Sequence, residues 1–163
     1  MSTWTLAYDE FIPGEEGLRE ALTATGNGYF CSRGAAEWAD AIVERLADPG
    51  PYYPGTYMHG GFNRLDTMMG GRPIANEDFV NLPNWLCLKL RIEGGEPFSL
   101  ENVEILSYRH ELDIRNCVCA RTVRFRDAAG RETTLASRRF VSMARMHEAG
   151  LEWTITPENW SGK

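Results

Sequence analysis

The stretch CVCARTVRFRDAAGRETTLASRRFVSMARM, residues 117–146, decides how this chain is read. In its first arm Cys117, Cys119, Arg121, Val123 and Phe125 fall on one side, and Val118, Ala120, Thr122, Arg124 and Arg126 on the other. A period of two with one drier side is the mark of a strand. Asp127-Ala128-Ala129-Gly130 then supplies a turn, because Asp bonds its own local backbone and Gly tolerates the positive φ that closes a hairpin. In the returning arm Ala136, Phe140, Ala144 and Met146 alternate with Leu135, Val141 and Met143, so apolar residues occur on both sides. That pattern predicts a strand covered on both faces. The five arginines of the two arms, Arg121, Arg124, Arg126, Arg138 and Arg139, are expected to act as cross-strand partners with solvated stems rather than as an anion site.

Outward from the hairpin the same alternation recurs. Trp4, Leu6 and Tyr8 predict an opening strand, Leu86, Leu88, Leu90 and Ile92 a half-buried one, Val103 to Leu112 a longer one, and Leu151, Trp153 and Ile155 a last one. Phe98 and Leu100 open a short strand, and another lies within the aromatic run from Tyr52 to Asn63. Glu15 to Leu22 reads as either helical or extended. Residues 35–47 have helix formers with Trp38, Ile42, Val43 and Leu46 near one face, and Asp48-Pro49-Gly50-Pro51 ends them, which predicts one helix. Asp66 to Asp78 carries Gly70-Gly71-Arg72-Pro73 and little periodicity, and is expected to be a mobile loop. Seven or more strands with one helix predict a mainly β chain, an antiparallel β-sandwich forming a single domain over 1–163.

Composition narrows function. A formal charge of −6 with a pI near 5.1 argues against nucleic-acid binding, although the hairpin is locally basic. No apolar run approaches the ~20 residues of a membrane span, so a cytoplasmic protein is expected. Cys31, Cys87, Cys117 and Cys119 include no Cys-x-x-Cys pair and read as buried thiols. His59, His110 and His147 are far apart in sequence and show no metal-ligand spacing. Glu104, Glu111, Asp113 and Glu158 have no spacing that pairs two carboxyl groups for glycoside chemistry, and Asp113 beside Arg115 is expected to be a structural ion pair. No Gly-x-Ser-x-Gly elbow is present. The residues alone therefore yield no catalytic constellation.

Several short pieces, taken in order, resemble the opening of glycoside hydrolase family 65. They are Trp4 and Tyr8, Arg19-Glu20-Ala21-Leu22, Gly26-Asn27-Gly28-Tyr29, Arg33-Gly34 and Tyr53-Pro54-Gly55-Thr56-Tyr57. Asn81-Leu82-Pro83-Asn84-Trp85, Leu112-Asp113-Ile114-Arg115, Arg138 to Met143 and Ile155 to Gly162 follow. Cys31-Ser32 departs from the pattern. The resemblance implies the N-terminal β-sandwich of phosphorylases and hydrolases of α-linked glucose disaccharides such as maltose, trehalose and kojibiose. Their inverting catalysis resides in an α/α barrel that follows that sandwich, so no catalytic residue is carried over.

What the resemblance implies for this chain is a scaffold, incomplete at its last strands, as a fragment or a truncated gene product that is inactive alone. No cofactor is expected, with phosphate a co-substrate only if the parent enzyme is a phosphorylase. Arg33, Tyr57, Asn63 and Trp85 are the candidate residues facing a carbohydrate or another domain. The expected partners are an α-glucoside, the missing catalytic domain, or a second copy in a homo-oligomer. The alternatives are a stand-alone carbohydrate-binding sandwich with Trp85, Tyr57 or Trp160 as stacking platform, and an interaction module completed by another chain at a sheet edge.

Overall fold

The hairpin forms where the alternation places it. In the computed structural model, which describes residues 4–39 and 51–163, strands β7 (Glu104–Asp113), β8 (Val118–Arg126), β9 (Glu132–Val141) and β10 (Ala149–Pro157) form an antiparallel meander. Strand β1 (Thr5–Tyr8) pairs with β7, giving one five-stranded sheet in the order β1-β7-β8-β9-β10. The turn works as its chemistry requires: Asp127 Oδ1 accepts the N–H groups of Ala129 (2.9 Å) and Arg131 (3.0 Å), and Gly130 takes φ +78°.

One face of this sheet is dry. Cys119, Arg121, Val123 and Phe125 on β8 and Thr133, Leu135, Ser137, Arg139 and Val141 on β9 are buried. The expectation that β9 is covered on both faces is corrected, because Phe140 is 48% exposed and Arg138 also faces solvent. Alternating apolar residues on β9 do not mean two covers. Also corrected is the reading of all five arginines as solvated: Arg124, Arg126 and Arg138 are cross-strand ion-pair partners at the surface, but Arg121 and Arg139 lie on the dry side at 2% and 1% exposure.

The opposing layer of the sandwich is made of short pieces. A helix α1 (Glu16–Leu22), the backbone at 33–39, the extended run 85–92 and the residues around Phe98 and Leu100 cover the sheet. A three-stranded sheet of β2 (Thr25–Gly26), β3 (Phe30–Ser32) and β4 (Thr56–Met58) adjoins β9 at one end. Ala35, Ala36, Trp38, Leu86, Phe98 and Leu100 pack on Tyr108, Val123, Phe125 and Leu135. Fully burying such a large side chain contributes roughly 1.5–3 kcal/mol, so this layer carries much of the stability.

Three expected elements differ. Leu86 and Ile92 are buried and Cys87, Lys89 and Arg91 exposed, as the alternation requires, but among the described residues the run pairs with no strand. Its backbone bonds are isolated ones, Leu88 N–H to the Glu37 carbonyl (2.7 Å) and Phe98 N–H to the Leu90 carbonyl (2.8 Å), with a lone bridge between Arg91 and Pro97. Alternation reports which side is buried, not whether a ladder forms. The short strand expected at Phe98 and Leu100 is reduced to that bridge for the same reason. Of the helix expected over 35–47, residues 35–39 form extended and turn backbone, and 40–47 lie outside the described residues. The helix that does occur, α1, takes one of the two forms open at Glu15 to Leu22.

The expected loop at Asp66 to Asp78 is a β-hairpin of β5 (Phe62–Met69) and β6 (Arg72–Phe79), turned by Gly70 (φ +59°) and Gly71 (φ +78°). It lacks alternation because neither face is buried: every residue but Thr67 is exposed. The thiols also divide. Cys119 is buried and Cys31 half-buried, but Cys87 and Cys117 are exposed, the latter in a turn at φ +54°. Asp113 pairs with Asn116 and the backbone of Arg115 rather than with a guanidinium, and these bonds, led by the Asn116 side chain, hold its carboxyl below the usual range.

Trp85 and Trp153 are half-buried and packed against the core. Because part of its ring is in water, Trp153→Ala is expected to cost about 2 kcal/mol, below the ~3–5 of a fully buried tryptophan. Urea denaturation checks this; an unchanged midpoint would remove the ring from the core.

Candidate functional site

Two groupings of side chains stand out, and the first is aromatic. The sequence Asn27-Gly28-Tyr29 turns β2 into β3: Asn27 Oδ1 accepts the N–H groups of Tyr29 (3.0 Å) and Phe30 (2.8 Å), and Gly28 sits at φ +84°. In register across β3 and β4, Cys31 faces Tyr57 and Phe30 faces Met58. These residues line a depression of about 310 Å³ with Tyr29, His59 and Phe79. Its neighbour, about 290 Å³, shares Tyr29, Phe30 and Met58 and adds Trp85, His147 and Ala149.

The structure thus brings Tyr57 and Trp85 to the two sides of one aromatic surface. Arg33 and Asn63 line neither depression, although Arg33 lies near Tyr57. Arg33 donates to the carbonyls of Tyr53 (3.0 Å) and Gly17 (2.7 Å) and approaches Glu20 at 3.8 Å, so its guanidinium fastens the chain behind the surface. Asn63 stands on the exposed hairpin opposite Asp78. Nor do the rings make a flat platform. Trp85 is held edge-on to Phe30 at 65° with its indole N–H donated to Ser32 Oγ (3.1 Å), and Tyr57 meets Phe79 at 75°. Trp160 is likewise tied down, its N–H shared between the Glu132 carbonyl and Thr133 Oγ1, both at 3.0 Å. Sugar stacking on a common platform needs coplanar rings, and these are inclined to their neighbours.

The second grouping is buried and charged. Helix α1 places Glu16 and Glu20 one turn apart, and both are 0% exposed. They face the dry side of the sheet at its polar end, where His110, Arg121 and Arg139 project beside Glu37. Arg121 donates to Tyr108 Oη (2.5 Å) and the Gly34 carbonyl (3.1 Å), and lies 3.6 Å from Glu16 and 3.7 Å from Glu37. Arg139 pairs with Glu37 and donates to the Ala35 carbonyl (2.7 Å). Gly34 is required here, since a Cβ would stand 1.8 Å from Thr23 Oγ1.

Burial sets the protonation of this layer. It pushes Glu20 up to about 7, against the Tyr53 N–H and Arg33 that favour the anion, and it raises Glu16 despite Arg121 and Arg19. The Tyr108 hydroxyl is pushed up to about 12, again chiefly by burial. His110 is driven far below its usual range by burial and then by Arg121, so it is neutral. Thr23 donates its hydroxyl to the Arg19 carbonyl (2.8 Å) and thus accepts from His110 Nε2 at 3.2 Å. None of Glu16, Glu20 and Glu37 lines a described cavity. The layer joins the helix and the 33–39 backbone to the sheet.

Arg121 beside Val123 and Phe125 on β8, Arg139 between Leu135 and Val141 on one side of β9, and Glu16 and Glu20 at helical spacing are sequence signals for this layer. Among the described residues no three His, Cys, Asp or Glu side chains come together as a metal site, and no helix is long and apolar enough to cross a membrane.

A five-stranded antiparallel sheet closed by a charged inner layer defines a β-sandwich. The family description "Glycosyl hydrolase family 65, N-terminal domain" matches residues 6–163, and the chain belongs to that family. It is 47% identical over 159 residues to an uncharacterized glycosyl hydrolase of Mycobacterium tuberculosis (strain H37Rv), covering 98% of this chain and 12% of that protein. A kojibiose phosphorylase of Caldanaerobacter subterraneus subsp. tengcongensis is 31% identical over 159 residues, covering 98% and 18%. A trehalose 6-phosphate phosphorylase of Lactococcus lactis is 31% identical over 148 residues, covering 90% and 18%. The fold is shared with a solved chain assigned as a kojibiose phosphorylase from the human microbiome, at TM-score 0.80 and 18% identity, over 94% of this chain and 20% of that one. This chain therefore spans less than a quarter of each of these proteins.

Proposed function

We propose that this chain is the non-catalytic scaffold of a cytoplasmic, family 65 disaccharide phosphorylase, supporting an inverting reaction of phosphate with an α-linked glucose disaccharide. The observation that carries this reading is the closure of Glu16, Glu20 and Glu37 against Arg121, Arg139 and His110, which leaves the interior carboxyl groups no route to a sugar. Of the carboxylates that line depressions, Asp127 and Glu152 are held by Arg131 (2.7 Å) and Arg138 (2.6 Å), and Glu96 is exposed to solvent. An inverting reaction needs an acid whose proton is available to the leaving oxygen, and ion-paired surface carboxylates are poor candidates. The phosphorylase names of the relatives at 31% identity support the reaction class.

The test is an assay of the purified chain with phosphate and, in turn, kojibiose, trehalose and maltose. The expected result is no release of glucose or glucose phosphate. Titration calorimetry with the same sugars is expected to show no heat of binding, because the rings at Tyr57 and Trp85 are inclined to those beside them and form no flat platform. Turnover that persists through repeated purification would overturn the scaffold reading, and saturable sugar binding abolished by Trp85→Ala would replace it with a carbohydrate-binding one.

A further inference from the structure

The hairpin β5–β6 exposes both of its faces, with Leu65 at 61%, Met68 at 66%, Met69 at 61% and Phe79 at 58%. An isolated two-stranded hairpin is marginal in water, and a long open edge invites another strand. Its two edges are not equivalent. The β6 edge contains Pro73, which cannot donate to a ladder, whereas β5 has no proline, glycine, lysine or bulge along Phe62–Met69. Among the described residues β5 pairs only with β6.

Backbone direction and charge together select one way to extend β5. Val80 N–H donates to the Gly61 carbonyl, and Phe62 lies opposite Phe79. Hydrogen-bonded pairs alternate along an antiparallel ladder, so Asn63, Leu65, Thr67 and Met69 turn their backbone groups to β6. Phe62, Arg64, Asp66 and Met68 therefore present theirs at the open edge. A second β5 can continue the sheet about a two-fold axis only with a residue on that axis. With Arg64 or Asp66 there, like charges meet. With Leu65 there, Arg64 lies opposite the other copy's Asp66, Phe62 opposite its Met68 and Asn63 opposite its Thr67, and the outward backbone groups pair with one another.

We propose that two copies of this chain associate through their β5 edges into a continuous four-stranded antiparallel sheet with Leu65 on the two-fold axis. This interface is independent of the scaffold reading. Strand β10, the long edge of the main sheet, offers no such selection: its single charged residue, Glu152, is held by Arg138.

The test is sedimentation of the purified chain over a concentration series, with Arg64→Asp and Asp66→Arg made separately. Among the described residues Asp66 has no ion pair in the monomer, so Asp66→Arg should keep the wild-type melting temperature, whereas Arg64→Asp sets an exposed aspartate opposite Glu77 and should lower it slightly. Each turns two attractive cross-strand pairs into two repulsive ones and should raise the dimer dissociation constant about tenfold or more. Mixed in equal amounts, the two variants set a pair of aspartates on one copy opposite a pair of arginines on the other, and the dimer should return. Concentration-dependent amide protection at Arg64 and Asp66 of the wild-type chain is the second readout, and it needs no variant. A wild type that stays monomeric, single variants that dimerise as before, a mixture that stays monomeric, or protection elsewhere than β5 each overturns the proposal.

Discussion

Arg121→Met is expected to lower the unfolding free energy by about 3–5 kcal/mol at pH 7, the cost of removing one member of a buried ion network. The side chain is 2% exposed and ties together Glu16, Glu37, the Tyr108 hydroxyl and the Gly34 carbonyl. Methionine fills most of the volume but leaves those oxygens buried without their donor, and an unsatisfied buried acceptor costs its full desolvation. The control is Arg138→Met, on the wet face of the neighbouring strand, where both Arg138 and its partner Glu152 are more than half exposed. There the loss should stay below about 1 kcal/mol. Glu16→Gln added to Arg121→Met should recover part of the loss, with a coupling above ~0.5 kcal/mol, because it removes a buried anion left with only Arg19 at 3.8 Å. Urea denaturation of the wild type, Arg121→Met, Glu16→Gln, their double variant and Arg138→Met measures this, and equal effects for Arg121 and Arg138 would mean the inner layer is wet.

Those two arginines also show where the sequence was legible. Period-two alternation grouped Arg121 with Val123 and Phe125 on one side of β8, and Arg138 with Ala136 and Phe140 on one side of β9, and the structure keeps both groupings. What it could not say was that the dry side stops being apolar at one end, since that depends on Glu16, Glu20 and Glu37 arriving from segments remote in sequence. The same limit explains the other differences. Residues 86–92 bury alternate side chains against a core without a neighbouring strand, so their pattern was right and their ladder absent. Strands β5 and β6 are regular but bury nothing, so they left no pattern to read. Of the candidate site residues, Tyr57 and Trp85 meet at one surface because aromatic pairs pack locally across β3 and β4, whereas Arg33 is diverted by Glu20 and two carbonyls.

Glu20 carries the second large effect, on the pH dependence of stability. Its carboxyl is raised from an ordinary 4.5 to about 7, first by burial, with Tyr53 N–H (2.8 Å) and then Arg33 pulling the other way and Glu16 adding slightly to the rise. The unfolded chain therefore ionises this group near 4.5, and the folded chain only near 7. Between those values the folded state holds a proton that the unfolded state has released, so stability present below pH 4.5 is lost as pH rises and levels off above about 7. A shift of that size corresponds to about 3 kcal/mol. His110 acts in the opposite sense: neutral in the fold, it gives stability that appears as pH rises through the ordinary histidine value near 6.5. The wild-type curve sums both, and Glu20→Gln separates them. Glutamine still accepts the Tyr53 N–H through its carbonyl oxygen but carries no proton to lose, so the variant should equal the wild type near pH 4.5 and exceed it by about 3 kcal/mol at about pH 8. Urea denaturation at intervals of about half a pH unit across that range gives both curves. Parallel curves would show that the Glu20 carboxyl ionises in the folded protein much as it does in water, and that its surroundings are open to solvent.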